Sequence, residues 1–404
     1  MKILLVHNFY GSTAPSGENT AFLAESNLLR SRGHTILEFT RNSDEILANG
    51  HAGMMKGAIS SVWNPFSLHR LRQRIRETNP DIVHVHNTFP LLSPSVYYAS
   101  REQKIPTVMT MHNYRIGCSA ATALRKDQPC MLCLDKKSVL PALWYGCYRE
   151  SRLATLPVSM MIALHNAKKT WSKNVDAFIT LTEFQRQKMA LFGVPAGSLF
   201  VKPHFLQDPP QPVPWESRDE KSLFIGRLYA AKGIHILLEA WKRWGRNAPR
   251  LEIIGDGPMR EELGRVVEEN GMAASVSFTG NVSRQEAMNR LSRAKLLIIP
   301  SLCYEGFPMV VQEAFALGVP IAASNIGSLP YLVSEKTNGI LFAPGSANGI
   351  HEGVRRLLSD DQKMRALGNG ARREFDEKFT ADKNHDLLME IYRAAADHRS
   401  AKKR

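Results

Sequence analysis

Two glutamates, Glu305 and Glu313, flank the start of a predicted helix and could hold the two ends of one ligand. Pro308 between them suits the first turn of a helix, so Glu305 lies in the preceding loop and Glu313 about one and a half turns inside. At ~1.5 Å per helical residue the carboxylates would be about 10 Å apart, near the reach from a ribose to a sugar across a diphosphate. Amides at the helix amino terminus could bind that diphosphate.

A basic glycine-flanked loop, residues 226–233, could neutralise the same diphosphate. Arg227 and Lys232 lie between Gly226 and Gly233, just before a helical pattern. The loop differs from the phosphate loop of nucleoside triphosphatases, because its lysine does not directly precede Ser or Thr and its glycine spacing is different. Taken alone, such residues more often form a solvated basic turn.

Two further loops carry glycines where predicted strands end. Residues 254–258 include Gly255, and residues 278–282 include Gly280 and Val282. At strand carboxyl ends such loops could hold the edge of a nucleotide base. Turn chemistry alone also accounts for the glycines.

Three histidines mark strand ends in the first half of the chain. His84 and His86 share one face of a predicted strand, because side chains alternate with a period of two. His86 is nearer the strand end, and we interpret His84 as a core histidine with satisfied hydrogen bonds. His112 directly follows another predicted strand, where ligands of parallel sheets bind, and is the better functional candidate.

The elements that must position these residues alternate along the chain. Apolar runs predict strands at residues 2–7, 35–39, 81–86, 107–111, 177–180, 222–225, 250–254, 276–278, 295–299 and 320–323, with helical patterns between them. This alternation predicts an α/β fold of two doubly wound, Rossmann-like parallel-sheet domains that face a cleft. Five prolines between residues 203 and 214 indicate a linker. The predicted parts are residues 1–203, the linker 204–214, residues 215–382, and a last helix with a basic tail at 383–404.

Together these motifs resemble the glycosyltransferase group 1 superfamily, retaining enzymes of the GT-B fold. The resemblance covers residues 215–350, including the stretches 318–320 and 338–342, and extends more loosely over the first domain. It implies that Glu313 binds the ribose hydroxyls, Glu305 the transferred sugar, and Arg227 and Lys232 the diphosphate. It further implies that sugar and phosphate are held by the backbone of Gly306, Phe307, Met309 and Val310.

In the first domain the family has a Gly-Gly loop after the first strand, where this chain reads Pro15-Ser16-Gly17. Only the second glycine is retained, so Gly17 remains a donor-binding candidate through close backbone approach. His112, in Met111-His112-Asn113, looks like the family's histidine that touches the donor sugar.

The resemblance implies a UDP- or GDP-sugar donor and attack on the same face as the departing diphosphate, whose β-phosphate helps deprotonate the acceptor. Arg227 and Lys232 would stand where negative charge develops. The chain contains no Asp-x-Asp pair, so we expect fixed cations rather than a catalytic metal to hold the diphosphate.

Charge and hydropathy limit the possible partners. Residues 1–205 hold 24 Lys+Arg against 13 Asp+Glu, a net charge of +11 of the chain's +14. This excess, with apolar and Arg residues between 53 and 76, suits an anionic membrane surface and a glycan or lipid-linked cell-envelope acceptor. A core helix with a solvated face explains the stretch as well. The longest apolar run, near residues 153–164, is too short to span a bilayer, and with no leader pattern we expect a cytoplasmic protein.

Four of the five cysteines fall within thirty residues of one another. Cys130 and Cys133 have the spacing of a zinc knuckle, with Cys118 and Cys147 outside them. We therefore consider a structural zinc bound by all four thiolates, beside the alternative of ordinary reduced or buried cysteines.

Two other functions share parts of this pattern. A nucleotide-sugar epimerase of the same architecture would need no acceptor. A basic nucleic-acid-binding protein would need aromatic residues among its Lys and Arg, which are sparse here, and would leave Glu305 and Glu313 unexplained. We therefore expect no nucleic-acid partner.

Overall fold

The computed structural model describes residues 1–11 and 16–401, except for the side chains of Leu47 and His51. Pro15 of the first glycine loop and the tail residues Lys402, Lys403 and Arg404 lie outside the described residues. The chain forms two compact units. Unit 1 consists of Met1–Ala123, Cys130–Pro203 and the chain from Asn384 onward, and unit 2 of Leu124–Pro129 and His204–Lys383.

Unit 1 is built on a six-stranded sheet in which all neighbouring strands are parallel. Its strands are β1 (Lys2–Phe9), β2 (Thr35–Asn42), β3 (Ile82–Asn87), β4 (Thr107–Met111), β7 (Ala177–Thr180) and β8 (Leu199–Val201). Its helices before β7 are α1 (Gly17–Ser31), α2 (Asp44–Leu47), α3 (Gly50–Val62), α4 (Pro65–Thr78), α5 (Val96–Glu102), α6 (Leu132–Asp135), α7 (Leu140–Tyr145), α8 (Arg152–Ala167) and α9 (Thr170–Asn174). Helix α10 (Glu183–Leu191) lies between β7 and β8.

The last helix, α18 (Ala381–Ala401), returns to unit 1 and completes its core. Leu388, Ile391 and Tyr392 pack with Ile3 and Phe22 in one buried cluster. Farther along α18, Arg399 forms a buried ion pair with Asp176, which directly precedes β7, at 2.6 Å. Unit 1 is therefore discontinuous in sequence.

Unit 2 has a second six-stranded, all-parallel sheet. Its strands are β9 (Asp219–Ile225), β10 (Arg250–Ile254), β11 (Val276–Gly280), β12 (Ala294–Ile299), β13 (Ile321–Ser324) and β14 (Gly339–Phe342). A two-stranded hairpin, β5 (Leu124–Arg125) and β6 (Gln128–Pro129), also belongs to it. Its helices are α11 (Ile234–Lys242), α12 (Arg260–Glu269), α13 (Arg284–Ser292), α14 (Met309–Ala316), α15 (Leu329–Leu332), α16 (Ala347–Leu358) and α17 (Asp361–Lys378).

Side-chain caps and apolar faces explain why these segments become helices. Ser16, Ser151, Thr182 and Ser283 each accept a hydrogen bond from a backbone N–H of the first turn of the helix that follows. Strands inside the two sheets, such as β1, β3, β7, β12 and β13, are buried over most of their length, as expected for sheets covered on both faces. In unit 2 this produces a continuous core from Phe224 to Leu367 with Trp241 fully buried.

The predicted fold class is confirmed: both sheets are parallel and doubly wound. All ten predicted strands are present, most of them a few residues longer or shifted by one. The strands β8 and β14 were not predicted, because each has only three or four residues at the edge of its sheet and lacks a long apolar run. Residues 204–214, predicted as a linker, carry buried Phe205 and Leu206, and the amide of Leu206 donates to the carbonyl of Phe379 within unit 2.

Candidate functional site

The strand order of unit 2 places its candidate residues at one point of the sheet. The order is β11-β10-β9-β12-β13-β14, so the direction of winding reverses between β9 and β12. In open parallel sheets the crevice at such a reversal, beyond the carboxyl ends of the strands, is where ligands bind. The loop containing Arg227 and Lys232 follows β9, and the loop containing Glu305 follows β12.

These two loops are fastened to each other through the backbone. The amide of Leu302 donates to the carbonyl of Ala231 at 2.8 Å. Gly233 has a φ of +72°, and a Cβ there would lie 1.9 Å from the carbonyl oxygen of Pro300. Only glycine allows both this backbone conformation and this close approach. The two loops therefore hold one fixed relative position.

A partly buried ion pair joins the loops at the side-chain level. Lys232 Nζ donates to Glu305 Oε1 at 2.6 Å, and Ser301 Oγ donates to the same oxygen at 2.7 Å. Burial alone would raise the pKa of Glu305, but Lys232, Ser301 and Arg227 hold that pKa below its usual value. Burial likewise opposes the charge of Lys232, yet Glu305 raises the lysine pKa. Both groups are thus kept charged at neutral pH.

Glu313 has a different environment from Glu305. It lies in α14, whose N-cap is Pro308, so the predicted loop and helix positions of the two glutamates are observed. Arg284 Nη2 donates to Glu313 Oε1 at 3.2 Å. Burial raises the Glu313 pKa, and Arg284 opposes that rise only in part. A partly desolvated acceptor of this kind is suited to hydroxyl groups.

Between the two glutamates, the segment before α14 presents backbone rather than side chain. Phe307 is buried, with its ring edge-on to His204 and tilted against Phe379. Gly306 precedes it, and Met309 and Val310 form the first turn of α14. The side chain of Phe307 therefore anchors the segment, and its amides are the groups that could face a ligand.

The other two glycine loops of unit 2 follow the neighbouring strands β10 and β11. The amide of Gly226 donates to the carbonyl of Ile254 at 3.0 Å, and the amide of Gly255 donates to that of Gly280 at 2.9 Å. A Cβ at Gly255 would lie 2.0 Å from the carbonyl oxygen of Gly226. The structure thus brings Gly226, Gly255 and Gly280 together, with Val282 two residues beyond β11.

In unit 1 the winding reverses between β1 and β3. Gly17, in the loop after β1, is the first residue of α1 and is exposed, and a Cβ there would meet nothing within 4 Å. The chain itself does not require glycine at this position. Ser16 accepts from the amide of Asn19 and so caps α1.

The three candidate histidines of unit 1, His84, His86 and His112, lie next to one another. His84 is fully buried, with Nδ1 2.8 Å from the Tyr392 hydroxyl and Nε2 2.8 Å from Thr110 Oγ1, as predicted for a core histidine. His86 Nδ1 lies 3.2 Å from His112 Nε2. Burial lowers the pKa of His84 to about 4, so its ring is neutral at physiological pH.

Sequence reasoning missed two charged residues beside these histidines. Glu25 and Lys202 form a buried ion pair, with Lys202 Nζ donating to Glu25 Oε2 at 2.7 Å. Glu25 comes from the middle of α1 and Lys202 follows the short edge strand β8. Neither carries a local motif, and 177 residues separate them.

Two family models match adjacent parts of the chain. Residues 16–206 match the model described as Glycosyltransferase Family 4, and residues 208–374 match that of Glycosyl transferases group 1. The chain belongs to the group 1 glycosyltransferases. The resemblance inferred from the glutamate pair and the basic glycine loop is therefore confirmed.

Individual relatives of this glycosyltransferase are distant. It is 34% identical to an uncharacterized glycosyltransferase of Methanocaldococcus jannaschii over 181 residues, which is 44% of this chain and 46% of the relative. It is 27% identical to the O-antigen chain mannosyltransferase C of Escherichia coli over 45% of this chain and 48% of that protein. The matched part thus spans about half the length of these curated relatives.

A solved structure covers nearly the whole chain. The crystal structure of HepE from Anabaena in complex with UDP has a TM-score of 0.66 and 17% sequence identity, and covers 96% of this chain and 99% of HepE. At this identity the likeness establishes the fold. Among the described residues of the present glycosyltransferase, no helix is both long and apolar enough to cross a membrane.

The zinc prediction finds no support in the structure. Around a zinc ion with bonds of ~2.3 Å to four sulfurs, the sulfur atoms would be roughly 3.8 Å apart. Among the described residues, no three of the sulfurs of Cys118, Cys130, Cys133 and Cys147 lie within 4.8 Å of one another. Burial and the thiols of the other three cysteines raise the pKa of the Cys133 thiol to about 11.

The contact between the two loops of unit 2 can be tested with two glycines of similar backbone conformation. Gly245 has a φ of +58° and open space where a methyl group would lie, whereas at Gly233 a methyl group would collide with Pro300. We expect Gly245→Ala to cost about 1 kcal/mol of unfolding free energy from backbone strain alone. Gly233→Ala should cost about 3 kcal/mol or more, because the loops must separate. Urea denaturation measures both, and equal costs would contradict the proposed constraint.

Proposed function

We propose that this protein is a retaining glycosyltransferase that transfers a sugar from a nucleoside diphosphate sugar, with UDP or GDP as the nucleotide, to a glycan or lipid-linked acceptor of the cell envelope. The observation that carries the proposal is the partly buried Lys232–Glu305 pair at the point where the unit 2 sheet reverses its winding. Membership of the group 1 family and the fold shared with a UDP complex support it.

The diphosphate would be bound by fixed cations. An ammonium group has three N–H donors, so Lys232 can hold Glu305 and still donate to a phosphate oxygen. The guanidinium of Arg227 lies 5.1 Å from the ring centre of Tyr229 and close enough to Lys232 and Glu305 to influence both pKa values. Both cations would stabilise the charge that develops on the leaving diphosphate, which removes the need for a catalytic metal.

Each glutamate would have a separate part in donor binding. Glu313 would accept hydrogen bonds from the ribose hydroxyls, and Glu305, held by Lys232 and Ser301, would contact the transferred sugar. The loops at Gly255 and Gly280 to Val282 would hold the base, and the backbone at Gly17 would approach the donor. His112 would contact a hydroxyl of the sugar. Retention would follow from attack on the same face, with the β-phosphate taking the acceptor proton.

A donor screen tests the proposal and separates it from epimerisation. Nucleotide sugars that stabilise the protein against heat are incubated with and without envelope-glycan acceptors, with EDTA present. We expect an acceptor-dependent product that keeps the anomeric configuration of the donor, formed at an undiminished rate in EDTA. Turnover of donor alone to its epimer would show an epimerase instead. An inverted product, or activity lost to EDTA, would refute the mechanism.

The two glutamates should separate binding from turnover. We expect Glu313→Gln to raise the Kd for the donor nucleotide about 10-fold, because the ribose contact is the same in ground and transition states. Glu305→Gln should lower kcat about 10²-fold with a smaller effect on nucleotide affinity, because it sits at the reacting centre and positions Lys232. Glu268→Gln, an exposed position on α12, is the matched control. Calorimetry with nucleotide measures the Kd, and steady-state kinetics measure kcat. If both variants behaved like the wild type, the assignment of Glu305 and Glu313 to the donor site would be wrong.

The acceptor side of the proposal includes contact with an anionic membrane. Helices α3, α7 and α8 pack together and expose large apolar side chains, which we call the apolar face. Its members are Met54, Met55, Ile59, Leu140, Trp144, Tyr145, Leu153, Leu156 and Met160. An open cavity of about 820 Å³ lies beside α7 and is lined mainly by apolar residues. An exposed apolar surface of this extent is typical of an interaction site.

The charge around the apolar face favours lipid as its partner. Lys56, Lys136, Lys137, Arg149 and Arg152 are all exposed on the same helices and the segments next to them. Cations around an apolar surface suit lipid headgroups above acyl chains. The predicted stretch 53–76 is only part of this surface. Val62 and Trp63 pack inward, with Trp63 stacked on His165, and Arg72 is paired with Glu102.

Substitutions on the apolar face should weaken membrane binding. We expect Trp144→Ser combined with Leu153→Ser to lower binding to phosphatidylglycerol vesicles about 10-fold or more, because two large side chains no longer insert. Leu191→Ser, at an exposed leucine of α10, is the control. Co-sedimentation at low and high salt measures binding, which should fall with salt. No wild-type binding at low salt would reject the membrane proposal.

A further inference from the structure

A chain of buried hydrogen-bonding groups leads from Lys202 to His112 in unit 1. Lys202 Nζ donates to Glu25 Oε2 at 2.7 Å, and Glu25 Oε1 lies 3.1 Å from His86 Nε2. The other ring nitrogen of His86, Nδ1, lies 3.2 Å from His112 Nε2. The carboxylate, the ammonium group and the His86 ring are all more than nine-tenths buried. The chain therefore ends at the histidine proposed to touch the sugar.

The charge of Glu25 determines the direction of these hydrogen bonds. Burial alone would raise the Glu25 pKa, but Lys202, His84 and His86 hold it well below its usual value. An ionised carboxylate only accepts hydrogen bonds, so His86 Nε2 must carry a proton. A neutral His86 then has its lone pair on Nδ1. His112 must therefore donate from Nε2, which leaves the lone pair of a neutral His112 on Nδ1.

Packing fixes the His86 ring in the orientation that this chain needs. Phe22 meets it edge-on at 5.3 Å between ring centres, and His7 meets it edge-on at 6.3 Å. Burial lowers the pKa of His7 to about 3, so His7 is neutral and adds no charge. The His86 ring also lies nearly parallel to the ring of His112, with 5.4 Å between the ring centres. A rotation of His86 would break contacts on all these sides.

The same residues do not form a convincing cation site. Glu25, His84 and His86 are the one group of three metal-binding side chains whose ligand atoms lie within 4.8 Å, among the described residues. However, Lys202 already provides the positive charge beside Glu25, and His84 is bonded to Tyr392 and Thr110. A metal ion at Oε1 would bring further positive charge close to the buried ammonium group on Oε2. The arrangement is better explained by proton placement.

We propose that Glu25 and His86 are positioning residues that hold His112 in the tautomer with its proton on Nε2 and its lone pair on Nδ1. The inference rests on the proposed contact between His112 and the donor sugar. In this tautomer a neutral His112 accepts a hydrogen bond at Nδ1, so it recognises a sugar hydroxyl that can donate one. A donor lacking that hydroxyl could not make this hydrogen bond and would be a poorer substrate.

Nuclear magnetic resonance of ¹⁵N-histidine-labelled protein tests the tautomer without any substrate. Long-range ¹H–¹⁵N spectra at neutral pH distinguish a protonated ring nitrogen from one with a lone pair, and His112→Gln and His86→Gln assign the signals. We expect the Nε2-protonated tautomer for both His86 and His112. A proton on Nδ1 of His112, or a doubly protonated His86, would overturn the proposal whatever the enzyme's activity.

Kinetics of paired variants test whether His86 acts through His112. We expect His86→Phe to lower kcat about 10-fold, as is common for a group that orients a functional histidine. His86→Gln should restore most of the rate, because its amide can donate to Glu25 and accept from His112. In a His112→Gln background, His86→Phe should cause no further loss. His165→Phe is the control, since His165 is also a buried histidine of unit 1 and bonds to Thr170 and Val62 instead.

The possible outcomes separate this inference from the proposed function. If His112→Gln keeps the wild-type rate, the proposed sugar contact is wrong, while the spectra still report the tautomer. If His112→Gln is impaired and the losses of the two variants multiply, His86 does not act through His112 and the inference fails. If His86→Phe does not fold, the rate and spectrum of His86→Gln test the inference. A shift of His112 to the other tautomer with an unchanged kcat would refute the inference.

Discussion

A strand of a parallel sheet cannot return to its neighbour through a tight turn, and this constraint determines where chemistry is located in both units. Every connection must leave from the carboxyl edge and cross back through a helix. Loop residues that are far apart in sequence therefore collect at one edge. Where the winding reverses, between β9 and β12 or between β1 and β3, two adjacent loops leave on opposite faces and open a crevice. The charged candidates of unit 2 and the histidines of unit 1 follow strands at or next to these two reversals.

Placing charge beside buried strand ends requires compensation. Lys232 and Glu305 in unit 2, and Lys202 and Glu25 in unit 1, are each held by a partner of opposite charge within 2.7 Å. A buried pair adds little to stability over an apolar pair, but removal of one member leaves an uncompensated charge. Such pairs hold polar groups in a defined orientation where solvent does not compete. In both units the pair lies beside the residues that we propose to bind the donor.

The residues that could be predicted from the sequence are those whose partners are close in sequence. The positions of Glu305 in a loop and Glu313 in a helix follow from Pro308, which lies between them within a stretch of nine residues. The glycines of the loop at 226–233 similarly indicate a turn from strand to helix. The alternation of apolar runs likewise predicts both sheets. Lys202 and Glu25 could not be predicted, because their pairing depends on which strands become neighbours, and β8 is only three residues long. The apolar face was predicted in part, since it combines side chains from helices about 100 residues apart.

The two units use different chemistry at equivalent points of similar sheets. In unit 2 the loop cations are partly exposed, which suits a dianionic group that arrives and leaves with its charge. In unit 1 the ammonium group of Lys202 is buried and two groups removed from His112, so it does not act on a ligand as a charge. In our proposal, Lys202 acts through Glu25 and His86, which together determine which ring nitrogen of His112 carries the proton. A neutral sugar hydroxyl can be recognised only through the direction of a hydrogen bond, and a buried chain of hydrogen-bonding groups can fix that direction. An exposed cation would instead attract anions.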